Sequence, residues 1–170
     1  MSYGADMNMP DMTGLISLST TELLKSHSAI LDELRRRKAI RTKNNPTGDY
    51  AEKLVKEKLG LMELEKNSTK GYDAKDGAGI KYQIKARRQT PENKSTQLGV
   101  IRGLDSHEFD YLIGIIFDVE WQVIRAAKIP FMAIQNCAKP RGHVNGHILH
   151  LRHSIFKIPS VEDITEMFRS

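Results

Sequence analysis

Residues 71–88 read GYDAKDGAGIKYQIKARR: two polar–apolar alternating runs on either side of a small-residue turn, Gly77-Ala78-Gly79. Side chains of a strand point to opposite faces in turn, so 72–76 and 80–86 are the two arms of a β-hairpin. Ile80, Tyr82, Ile84 and Ala86 take one face of the second arm, and Lys81, Gln83 and Lys85 take the other. A tight hairpin brings Asp73 opposite Gln83, and the period of two sets Gln83 and Lys85 side by side.

Upstream, Asn44, Asn45 and Pro46 break the chain, and Thr47 is placed to cap a helix over 48–59 that Gly60 stops. Ala51, Leu54, Val55 and Leu59 form its apolar stripe, and Glu52 falls at the edge, roughly 20° beyond Leu59 on the helical wheel. Residues 61–66 alternate as a half-buried strand, with a turn at 67–70. Ser19 and Glu22 form a capping box that opens a helix over about 20–40, with Leu23, His27, Ile30, Leu31 and Leu34 on one face. Residues 1–18 show no apolar period and read as a loose arm.

Downstream, 87–96 is a polar loop with Pro91. Residues 109–117 are almost unbroken apolar, as a central strand covered on both faces must be. Residues 121–127 supply its neighbour, and Pro130 opens a short helix to about 138. Residues 142–146 form a loop, 148–151 a short strand, and Ser160 caps a last helix through Phe168. The sum is one mixed α/β domain over 19–170.

The 170 residues are 39% hydrophobic and 28% charged, a globular balance, and no apolar run approaches the about 18 residues of a membrane span. The first residues lack a basic start and an apolar stretch, so no secretory signal is expected and the cytoplasm is the expected location. The lone Cys137 excludes an internal disulfide framework. A net charge of +5 permits an anionic partner, and its distribution matters more than the total.

The chemistry-bearing set is Glu52, Asp73, Gln83 and Lys85. Mg²⁺ is a hard ion held by one or two carboxylates together with other oxygens, which Asp73, Glu52, the Gln83 amide and the Ile84 carbonyl can offer. Such an ion acidifies water, and Lys85 beside it can orient that water or offset the charge of a phosphoryl transition state.

Residues 48–88 resemble the nuclease core of the PD-(D/E)xK superfamily, the restriction-endonuclease-like fold. Asp73 falls on the motif's aspartate, Gln83 on its second acidic position, Lys85 on its lysine and Glu52 on the helical glutamate. Tyr72 stands where a proline is common, and Gln83 replaces the usual acid, as in the Mrr-like branch. The resemblance implies an αβββαβ core with an added N-terminal helix. It also implies Mg²⁺-dependent cleavage of double-stranded DNA, with Mn²⁺ as a substitute, and a homodimer to cut both strands. Two other readings stay open: a nucleic-acid-binding module with weak or lost catalysis, and a subunit of a larger restriction or repair complex.

Arg87, Arg88, Lys94 and Arg102 follow the hairpin and are candidates to grip phosphates flanking the scissile bond. Six cations crowd residues 35–43, and Arg35, Arg36, Arg37, Arg41 and Lys43 are candidates for further backbone contact, against the alternative of a solvated face. His143, His147, His150 and His153 are spaced too closely for an HNH-type hairpin and are expected to meet phosphate or solvent rather than a metal.

Overall fold

Strand β1 (Ala74–Lys75) pairs antiparallel with β2 (Lys81–Arg88), Ala74 opposite Tyr82 and Lys75 opposite Lys81, so the hairpin is present. This is a computed structural model that describes residues 13–64 and 71–169. The expectations for residues 1–12 and 65–70 lie outside the described residues. Asp76 builds the turn. Its Oδ1 accepts hydrogen bonds from the Ala78 and Ile80 amides at 2.9 and 3.0 Å, and its Oδ2 accepts one from the Tyr82 hydroxyl at 3.0 Å. Gly79 takes the positive φ of 85° that this turn needs.

The chain divides into two units, Met1–Lys43 and Asn44–Ser170. The second unit is α/β with a mixed five-stranded sheet. β3 (Tyr111–Phe117) runs parallel to β2, and β4 (Val123–Pro130) runs antiparallel to β3. β7 (Glu162–Asp163) closes the far edge, giving the order β1-β2-β3-β4-β7. Six of the seven β3 residues are buried, which is why the sequence there is apolar on both faces.

Helix α3 (Thr47–Leu59) covers one face. Its Ala51 and Val55 are fully buried against Tyr82, Ile84, Ile113, Ile115 and Phe117. Gly60 ends it in the left-handed conformation at φ 63°. The opposite face is covered by Leu98, Ile101, Leu149 and Leu151, which pack on Leu112 and Ile116. Gly114 permits that close cover, because a Cβ there would lie 2.9 Å from Leu98 Cδ1 and 3.4 Å from Leu151 Cδ2.

Several expectations are corrected. Thr47 does not cap α3: Pro46 holds the cap position, and Asn45 Oδ1 accepts from the Thr47 amide and hydroxyl at 3.0 and 2.7 Å. The strand expected over 61–66 is reduced, among the described residues, to one bridge between Met62 and Lys75. The αβββαβ order anticipates a helix before β3, but 89–110 holds none. There the backbone is committed elsewhere, Leu98 N to Leu149 O at 2.9 Å and Ile101 N to His147 O at 2.9 Å. The last helix is replaced by β7 and a 3₁₀ turn over Thr165–Phe168. β7 takes its hydrogen bonds from β4, and buried Thr165 accepts from the Ala126 amide at 2.9 Å, which a helix over 160–168 would forgo.

The short helix α4 (Phe131–Cys137) follows Pro130 as expected, and β5 (Lys139–Arg141) pairs with β6 (Gly146–Ile148) as a separate ribbon. In the first unit, α1 (Thr13–Ile16) precedes α2 (Thr20–Arg36). α2 carries the expected capping box, Ser19 N donating to Glu22 Oε2 at 2.8 Å, and ends earlier than expected, at Arg36. Leu31 is buried, whereas Leu23 and Ile30 of the anticipated stripe are exposed.

Candidate active site

β1 is only two residues long, and that sets the site. Asp73 lies just before it, its amide donating to Tyr82 O at 2.8 Å, and its carboxylate then takes the place of a missing strand residue. Asp73 Oδ2 accepts from the Ile84 amide at 2.7 Å and from the Gln83 side-chain amide. Because N–H and C=O of one strand residue point to the same side, the Ile84 carbonyl also faces this edge, where β1 no longer runs. Oδ1 of Asp73 and Oε1 of Gln83 receive no hydrogen bond from the described residues.

Gln83 is one of two buried polar side chains in the described chain, 7% exposed. A buried amide is retained where it is hydrogen-bonded, and its partner here is Asp73. Lys85 lies two residues on, on the same face, opposite Gly114 of β3. It is half-buried, and its stem passes Gly99, where a Cβ would lie 3.5 Å from Lys85 Cδ. Its ammonium has no hydrogen bond or ion pair with the described residues. Lys85 thus shares the face of Gln83, and no carboxylate of the described residues lies within ion-pair distance of its ammonium.

Glu52 is placed differently from the other three. It pairs along its own helix with Lys56 at 3.8 Å, and Lys56 reaches Glu63 at 3.9 Å; Glu52 and Lys56 side chains are 15% and 13% exposed. Among the described residues no group of three or more His, Cys, Asp or Glu is gathered as a metal cage would require. The structure thus brings Asp73, Gln83 and Ile84 together, sets Lys85 on the face of Gln83, and gives Glu52 a lysine partner.

Of the cations, Arg87 continues the face of Gln83 and Lys85, and its side chain has no hydrogen bond or ion pair with the described residues. Arg88 is held on the other face. Its guanidinium donates to Val119 O and lies 4.7 Å from the Trp121 ring, while its buried Nε has no partner. Arg87 and Arg88 line a cleft of about 490 Å³ with Asn45, Thr47, Gly48 and Trp121. No local pattern marks Trp121 as the platform for Arg88, since that contact joins the end of β2 to the connection between β3 and β4. Lys94 and Arg102 are exposed on the loop before β3.

The basic run at 35–43 is partly neutralised within its own unit. Glu33 pairs with Arg36 and Arg37, each at 2.7 Å, and Lys43 with Asp32 at 2.6 Å. Arg36 and then Arg37 hold the Glu33 carboxyl down at about 2. Arg35 is exposed, and Arg41 has an interaction of its own. His153 meets the Arg125 guanidinium at 2.8 Å, and His147 and His150 form bridges to Ile101 and Gln97. No family model matches this chain, and no curated protein does.

Proposed function

We propose that this chain is a Mg²⁺-dependent endonuclease that hydrolyses phosphodiester bonds of double-stranded DNA on a restriction-endonuclease-like fold, with glutamine in the second acidic position. The observation that carries the reading is the Asp73–Gln83 joint at the end of a two-residue strand, with the uncommitted Lys85 on the same face. The donor set suits a hard divalent ion: Asp73 Oδ1, Gln83 Oε1 and the Ile84 carbonyl are all oxygens at one strand edge. A bound Mg²⁺, or Mn²⁺ in its place, supplies Lewis acidity toward water and the phosphoryl group. Lys85 orients the attacking water or offsets charge on the phosphoryl oxygens, and Arg87 holds a flanking phosphate. A homodimer places one such site on each strand.

Supercoiled plasmid incubated with the purified protein and Mg²⁺ or Mn²⁺ is expected to be nicked or linearised, and EDTA to stop it. Asp73→Ala is expected to abolish cleavage and leave DNA binding nearly unchanged, because affinity comes from dispersed cations. Cleavage by Asp73→Ala at the wild-type rate assigns the activity elsewhere.

A second reading, a nucleic-acid-binding module with weak or lost catalysis, is favoured by two features. Gln83 brings no charge to the ion, and Glu52 is engaged by Lys56. Salt-sensitive DNA binding without cleavage under any divalent ion is its signature.

A further inference from the structure

Between Trp121 and Val161 the chain has six Lys or Arg, four His and not one Asp or Glu. The fold gathers half of those six cations around one cleft of about 400 Å³. Lys139 and Arg141 of β5 and Arg152 stand on its rim, and Ile148, Leu149, Ile155 and Ile158 form its apolar lining with Cys137, His150 and Ser154. The three cations are exposed, and among the described residues none has a hydrogen bond or ion pair through its side chain. Three like charges at one mouth repel one another, and none of them is in an ion pair with a carboxylate of the described residues. Burial first, and then Arg152, Arg141 and Lys139, hold the His150 imidazole below its usual range.

A ligand that answers this lining carries an anion at the mouth and a largely apolar, flat body within. A volume of about 400 Å³ is at the small end of small-molecule sites and suits a body of one ring system and a sugar. We propose that this cleft binds a phosphate carried on a nucleoside, the phosphate held by Lys139, Arg141 and Arg152 and the base laid against the half-buried Ile158 and Cys137. The same chemistry is offered by a free nucleotide and by one nucleotide of a DNA strand. The site shares no residue with the Asp73–Lys85 edge, and the inference stands apart from the nuclease reading.

Cys137 is the only cysteine of the chain and lines the cleft, so it reports occupancy without any activity assay. Alkylation of Cys137 by iodoacetamide, followed by mass spectrometry, is measured alone and with deoxyadenosine 5′-monophosphate, a short oligodeoxynucleotide, deoxyadenosine or inorganic phosphate. The mononucleotide or the oligonucleotide is expected to slow alkylation at least fivefold. Protection by the mononucleotide assigns a free ligand, and protection by the oligonucleotide alone assigns a DNA strand. An Arg141→Ala/Arg152→Ala double variant, altered only at exposed rim positions, is expected to keep its melting temperature and lose protection. Asp73→Ala is expected to keep protection, which separates this site from the nuclease centre. Equal protection by deoxyadenosine overturns the phosphate contact, equal protection by inorganic phosphate overturns the nucleoside contact, and no protection by any ligand overturns the site. The His150 ring protons give a second readout: a bound phosphate stabilises the imidazolium, so the titration midpoint must move up on binding.

Discussion

At the scale of single residues, the Gln83 amide is the choice that shapes this site. It donates to the half-buried Asp73, so the pair carries one negative charge rather than two. Gln83→Glu exchanges that donor for a second carboxylate at hydrogen-bonding distance, and an unmet buried acceptor costs on the order of 1–3 kcal/mol. The variant is expected to melt several degrees below the wild type in EDTA and to recover in millimolar Mg²⁺, which relieves the repulsion by binding only the folded state. Differential scanning calorimetry with and without the ion reads this directly. A melting point indifferent to Mg²⁺ would separate Asp73 and position 83 from metal binding.

At the scale of elements, the hairpin depends on Asp76 as much as on its strands. Partial desolvation opposes the Asp76 charge, but hydrogen bonds from the Ile80 amide, the Tyr82 hydroxyl and the Ala78 and Gly79 amides outweigh it and hold the carboxyl below its usual range. Burial, with the Asp76 partner, pushes the Tyr82 phenol up to about 12. A carboxyl depressed in the folded state stabilises it above the ordinary carboxylate range, and that contribution fades as pH falls through the folded value. Acid unfolding of Asp76→Asn is therefore expected to be less steep than that of the wild type below about pH 4. Parallel acid limbs in the two proteins would remove Asp76 from the hairpin's stability.

The same elements show what the sequence made legible. The hairpin, the Gly60 stop and the buried β3 are written in local periodicity, because each residue's side answers to the neighbour two or four places away. Asp73 opposite Gln83 follows from that register and a short turn. The helix expected after Ser160 does not form because residues 162–163 pair with Ala127 and Lys128, and no short-range pattern announces a distant partner. Glu52 was placed by its wheel angle toward the core, while Lys56, one turn on along the same helix, took the carboxylate. The cationic cleft at Arg141 and Arg152 had one visible signal, the absence of acid over 121–161, which becomes meaningful only when β5 and His150 are seen to share a wall.

At the scale of the whole molecule, the proposed binding of DNA ranks the cations by how far the fold has already committed them. Each phosphate contact releases counterions and adds about 0.9 to the slope of log K against log salt. The Arg87 side chain has no hydrogen bond or ion pair with the described residues, whereas Arg36, Arg37 and Lys43 are occupied by Glu33 and Asp32. Arg87→Ala is expected to flatten the slope by about one unit for every DNA sequence alike, and Arg36→Ala/Arg37→Ala by clearly less. Fluorescence anisotropy at several salt concentrations decides between them. An unchanged slope in Arg87→Ala makes that arginine a solubilising charge.

One feature of the sheet reaches beyond the finished protein. The face that carries Gln83 and Lys85 is roofed by Leu98 and Ile101 only once residues 147–151 arrive to pair with them. Until 147–151 are in place, β3 therefore lacks cover on one of its two apolar sides, and a partly folded chain exposes it.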